Sequence, residues 1–150
     1  MDNELCGLMA LSRIPGIGNV LLKQLISYTG SAASALSASS GSLAKIPGIG
    51  PFFARAVVEH RAGKLAEAMA EIERAGKENA SLLHYLQPEY PSRLKKIPDA
   101  PPVIYLNGNF SFENPRILAI VGTRQASNYG KLAIESFISE LKPYKPVIVS

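Results

Sequence analysis

Residues 13–18 read RIPGIG and residues 45–50 read KIPGIG, so Ile14 aligns with Ile46 at an offset of 32. The match runs past the shared letters. Leu11 aligns with Leu43, Lys23 with Arg55, Leu25 with Val57 and Ile26 with Val58. A period of this size marks a repeated supersecondary unit. Apolar residues before each copy predict a helix that stops ahead of Pro15 or Pro47, because the residue before proline is driven out of the α region. Gly16 and Gly18, and then Gly48 and Gly50, permit a tight turn with positive φ. A second helix follows each turn, carrying Val20, Leu22, Leu25 and Ile26 in the first copy and Phe53, Val57 and Val58 in the second.

A glycine turn that opens a helix leaves backbone N–H groups unpaired beside a positive helix end. A phosphate is a natural partner for them. Lys23 and Arg55, one or two turns further on, reach for a neighbouring phosphate. Such a grip reads backbone charge and not base sequence. Both copies resemble helix–hairpin–helix motifs, whose tandem pairs form a compact SAM-like domain that binds DNA without sequence preference. The plain alternative is a tight interhelical turn with no ligand, or a helical module that docks another protein.

The composition of the 150-residue chain sets the frame. It is 47% hydrophobic and 19% charged, which is globular and not disordered. Cys6 is the single cysteine, which excludes an internal disulfide and a multi-cysteine metal site. No segment reads as a signal peptide or a membrane span, so a cytoplasmic protein with no membrane partner is expected. The net charge of +4 mildly favours an anionic partner. The basic residues are spread over both halves, so any polyanion site has to be built locally.

Between the copies, SAASALSASSGS at 31–42 predicts a short helix near Ala32–Ser37, with Ser40 or Ser42 capping the next helix. KLAEAMAEIERA at 64–75 predicts an amphipathic helix ended by Gly76. Composition shifts near residue 80. Five prolines fall between 88 and 102, LLHYL and VIYLNG read as short strands, and YPSRLKKI reads as a helical turn. Further on, Ile117–Val121 predicts a strand covered on both faces, residues 128–142 a helix, and VIVS at 147–150 another buried strand. The order βαβ opens a doubly wound sheet. The predicted domains are a helical one over 1–80, a connecting segment over 81–115, and the start of a Rossmann-like domain over 116–150. The fold class is therefore α + α/β.

The loop GTRQASNYG at 122–130 lies at the carboxyl end of the first parallel strand, where ligands of open α/β sheets bind. Gly122 allows close backbone approach, and Ser127 or Asn128 caps the helix or meets a phosphate. Arg124 offers a planar fork, and Lys131 lies one turn into the helix. The spacing fits neither G-x-G-x-x-G nor a Walker A sequence, which argues against a nicotinamide, flavin or nucleoside triphosphate cofactor.

YPSRLKKIPDAPPVIYLNGN at 90–109 followed by ILAIVGTRQASNYG at 117–130 resembles the DprA/Smf family of DNA-processing proteins. The positions that carry the likeness are Tyr90, Pro91, Leu94, Ile97, Asp99, Pro101, Pro102, Tyr105 and Gly108. They continue at Val121, Gly122, Thr123, Arg124, Ser127, Tyr129 and Gly130. The resemblance implies single-stranded DNA binding during natural transformation and recombination, with protection of incoming DNA and loading of the RecA recombinase. It also implies a homodimer in the full-length protein, and it puts Gly122, Thr123, Arg124 and Ser127 in a phosphate pocket. Members of the family continue well beyond VIVS, and one βαβ unit cannot bury both faces of its strands. A fragment of a longer protein is expected.

The rival class is an enzyme. Related sheets occur in nucleotide phosphoribohydrolases, which need a catalytic acid and base from later strands. This sequence offers no carboxylate pair, no Ser–His–Asp set and no metal constellation. His60 and His84 lack companions and read as surface or packed histidines. No catalytic residue, cofactor or metal is expected.

Overall fold

The computed structural model describes residues 2–108, 112 and 116–150. It divides into two compact units, 1–108 and 109–150. The class is α + α/β, with a helical tandem first and a βαβ unit after it.

In the first unit, α1 (Asn3–Ser12) is buried from Leu5 to Leu11 on every side. A helix apolar all round belongs at the centre of a bundle. Asp2 caps it, its carboxylate accepting from Glu4 N (2.9 Å) and Leu5 N (3.1 Å). Around it lie α2 (Asn19–Thr29), α3 (Ala32–Ser37), α4 (Ser40–Leu43) and α5 (Gly50–Lys77). Leu8, Met9, Leu11, Leu22, Leu25, Leu43, Ile49 and Val57 are fully buried. Each such side chain contributes about 1.5–3 kcal/mol of burial. The predicted α3 stands where the Ser/Ala run placed it. Ser31 caps α3, and Ser39 caps α4 in place of Ser40 or Ser42.

The two copies seal each other. Gly16 has φ +82°, and a Cβ there would lie 2.6 Å from Cε1 of Phe53 in the second copy. Gly48 has φ +79°, and its Cβ would meet Gln24 Oε1 at 3.3 Å and Leu21 Cδ2 at 3.7 Å in the first. Leu21 and Phe53 are themselves repeat equivalents, so each turn closes on the same helix position of the other copy. Ile17 and Ile49 are buried and pin the turns. Their amides donate to Ile14 O (3.0 Å) and Ile46 O (3.1 Å).

The helix expected over 64–75 has no start of its own. It is the second half of α5, which runs unbroken through Gly63 for 28 residues. A glycine inside a helix costs about 1 kcal/mol, which packing of Val57, Ala68 and Ala75 overrides. Nor does Gly76 end it. Asn79 takes the left-handed conformation at φ +56°, and Ala80 N donates to Ala75 O while Asn79 N donates to Gly76 O. This is a Schellman cap with asparagine in glycine's usual place.

Strands β1 (Ser81–His84) and β2 (Val103–Leu106) pair antiparallel, Ser81 opposite Leu106 and His84 opposite Val103. Leu82, Tyr85 and Val103 pack on the helical core, so this sheet belongs to the first unit through residue 108 and is no free connector. Between the strands, α6 (Ser92–Lys95) is the expected helical turn. Tyr90 is buried and its hydroxyl donates to Pro101 O at 2.6 Å.

In the second unit, β3 (Ile117–Ala119) and β4 (Val147–Val149) pair parallel, with α7 (Asn128–Leu141) and one 3₁₀ turn (Lys142–Tyr144) in the crossover. This βαβ unit is the part of a Rossmann-like sheet that the chain displays. The expected two-sided burial is not found: Val147, Ile148 and Val149 are 38–49% exposed. Two strands and one helix have too little surface to cover both faces of a parallel pair.

Candidate nucleic-acid interface

Three glycine-opened helix starts were expected to offer amides to phosphate, and all three lie at the surface. In the first hairpin, α2 has no side-chain cap, and the amides of Gly16 and Gly18 meet no acceptor among the described residues. Its two cations are engaged. Arg13 donates to Met9 O (3.1 Å) and lies 4.0 Å from Glu71. Lys23 Nζ donates to Ile97 O (3.2 Å) and Pro98 O (2.9 Å), and stands 5.8 Å from the centre of the Tyr85 ring. Burial, helped by Glu4, pushes the Tyr85 hydroxyl up to about 12, so the ring under the ammonium stays neutral. Asn19 Nδ2 adds a bond to Asp99 O at 2.7 Å. The first hairpin thus already holds residues 97–99 of its own chain.

The second hairpin is open. Gly48 and Gly50 both have positive φ, and α5 begins without a side-chain cap and with Pro51 in its first turn. Gln24 Nε2 donates to Pro47 O and steadies the turn. Lys45 and Arg55, the equivalents of Arg13 and Lys23, are exposed, and their side chains make no hydrogen bond or ion pair among the described residues. Phe52 is 75% exposed. A cleft of about 510 Å³ runs beside it, lined by Pro15, Pro51, Phe52, Arg55, Ala56, Glu59 and His60. Phe52 was missed in the sequence. Its signal was the adjacent pair Phe52–Phe53, since successive helix positions cannot both face one core.

The third start is the loop before α7. Gly122, Thr123 and Arg124 are exposed. Thr123 Oγ1 donates to Gln125 O at 2.9 Å, which folds the loop on itself. Ser127 caps α7 by accepting from Gly130 N at 3.1 Å. Arg124 and Lys131 extend from exposed backbone with no ion pair among the described residues. The loop therefore presents one guanidinium, one ammonium and a capped helix start.

The histidines divide. His60 is exposed in the cleft, while His84 is buried and its Nε2 lies 3.2 Å from Asp2 Oδ2, tying β1 to the start of α1. Burial works to raise the Asp2 carboxyl. The amides of Leu5 and Glu4, together with His84, outweigh it and hold the group below its ordinary value. Cys6 is buried and free. Among the described residues no cluster of three or more His, Cys, Asp or Glu side chains could hold a metal ion. None of their helices is long and apolar enough to cross a membrane.

The architecture is a tandem of glycine hairpins followed by the opening of a parallel sheet, and comparisons with known proteins match the chain in two parts, the second of which begins at β1 and not at the boundary between the compact units. Residues 8–62 match the SAM-like helix-hairpin-helix tandem family, and residues 81–150 match DNA recombination-mediator protein A. Protein Smf of Synechocystis sp. is 28% identical over 126 residues, covering 81% of this chain and 31% of that protein. This pairing of matches supports the likeness to the DprA/Smf family that the sequence carries. The chain spans about a third of the length of its Synechocystis relative.

Proposed function

We propose that the chain binds single-stranded DNA through phosphate contacts, as the DNA-gripping part of a recombination mediator. The observation that carries this reading is the second hairpin, where the exposed side chains of Lys45 and Arg55 stand beside a glycine turn with no hydrogen bond or ion pair among the described residues. Gly48, Gly50 and Arg55 form that site. Gly122, Thr123, Arg124, Ser127 and Lys131 form a second one at the start of α7. In the first hairpin, Gly16 and Gly18 keep free amides, and Lys23 contributes to DNA only if the 97–99 segment yields it. The role is binding and not catalysis. In the whole protein, it extends to protecting incoming DNA in the cytoplasm during natural transformation, delivering it to RecA and self-associating as a dimer.

An anisotropy titration of labelled single-stranded, duplex and forked DNA across salt tests this. Binding should weaken steeply as salt rises, because each neutralised phosphate releases counterions. Arg124→Glu and Arg55→Glu should each weaken it at low salt. If both leave affinity unchanged, the two sites fall.

Protein docking is the second reading, and one observation favours it. The first hairpin already holds a turn of its own chain, residues 97–99, through Lys23 and Asn19. Docking gains if a partner protein binds with Arg55→Glu and Arg124→Glu in place while DNA binds to neither form.

A further inference from the structure

We infer that the cleft beside the second hairpin seats one unstacked nucleobase on the ring of Phe52, with the adjoining phosphate on Arg55. This deepens the DNA-binding reading and rests on it. Phe52 and Arg55 are three residues apart on α5, and side chains at that spacing are neighbours on one helix face. The Phe52 ring is held from behind: Phe53 meets it edge-to-face, with centres 5.2 Å apart and planes at 77°. Phe53 is in turn packed against Gly16 and the core. The exposed ring is therefore part of a fixed platform.

Its surroundings suit a base better than an apolar partner. Pro15 and Pro51 line the cleft together with the ring, as do Glu59 and His60 further along α5. They offer a carboxylate acceptor and an imidazole to a base edge. A π-face beside a cation is the arrangement by which single strands are held without sequence preference. The first copy lacks it. Val20 stands at the position equivalent to Phe52 and has no ring, and Lys23 is bound to Ile97 O and Pro98 O. Bases of a duplex are already stacked on one another, so the platform selects single strands.

The protein contains no tryptophan, so Phe52→Trp puts its one indole on the platform. The test titrates the full chain with a short single-stranded oligonucleotide, the matching duplex, and an abasic strand of the same length. Indole emission should be quenched by the base-bearing strand and not by the duplex or the abasic strand. Phe52→Ala should lose about tenfold in affinity for the base-bearing strand and change the other two less than twofold. Phe52→Leu, which keeps bulk without a π-face, should behave like Phe52→Ala. Equal quenching by duplex, or unchanged strand affinity in Phe52→Ala, overturns the inference. If Arg55→Glu weakens binding while Phe52→Ala does not, phosphate binding stands and stacking falls. If the unsubstituted chain binds no DNA at low salt, both fall.

Discussion

The two hairpins share the five residues IPGIG, each behind a basic residue, and differ in what their cations do. In the first, Arg13 and Lys23 are tied to the protein's own backbone carbonyls, with Glu71 near Arg13. In the second, Lys45 and Arg55 point outward with nothing bound among the described residues. The backbones match where the copies seal each other, at Gly16 and Gly48, and diverge at the next glycine. Gly18 has φ −80° and Gly50 has φ +59°. One copy has its cations bound into the fold and the other leaves them exposed. Repeated sequence thus reports repeated packing, while function depends on which side chains the rest of the chain has already claimed.

The sharpest way to break this comparison is at the seal. Gly16→Ala combines left-handed strain with a clash against Phe53 and should cost about 3 kcal/mol in urea unfolding. Gly50→Ala carries strain alone, with nothing within 4 Å of the added carbon, and should cost about 1 kcal/mol. Equal losses would mean that Phe53 does not close the first turn.

The helix caps come next. Asp2→Ala should cost about 1 kcal/mol, as loss of an N-cap does. The Asp2 carboxyl is held below its ordinary value of 3.8. Its contribution is therefore complete above that pH and is lost as pH falls through the lowered folded value. Asp2→Asn should remove that acid dependence from the urea midpoint. Ser39→Ala, at the hydroxyl cap of α4, should leave its shape unchanged.

The cations then trade roles. Lys23→Met should lower stability by about 1 kcal/mol, because the carbonyl of Pro98 loses its donor and that of Ile97 keeps only the amide of Ala100. Arg55→Met should change stability by less than about 0.5 kcal/mol. On DNA the order reverses: Arg55→Met should reduce the salt slope for a single strand by about 0.7, one phosphate contact, while Lys23→Met leaves it alone. A Lys23 variant that flattens the slope would show that the 97–99 segment lets go when DNA arrives.

Local rules made much of this legible. Glycine and proline placed both turns, the serine and alanine run placed α3, and short apolar runs with aromatic or β-branched residues placed β1, β2, β3 and β4. The capture of Lys23 left no local trace, because its acceptors lie 74 and 75 residues away. A weak signal was there: IPDAPP has three prolines without N–H groups and carbonyls that no helix or ladder uses, and such carbonyls call for a donor from elsewhere. The continuity of α5 through Gly63 was hidden because a glycine between two apolar patterns reads as punctuation until packing outweighs it. The loop from β3 to α7 was legible as a helix start with cations, and the Ser127 hydroxyl caps α7, one of the two roles its position allowed.

The contact between Gly16 and Phe53 also orders events at the ribosome. Until the polypeptide has been synthesised and extruded past residue 53, the first turn has no ring to close upon, and Leu21 still waits for Gly48. Each turn therefore lacks its seal until both copies are outside the exit tunnel.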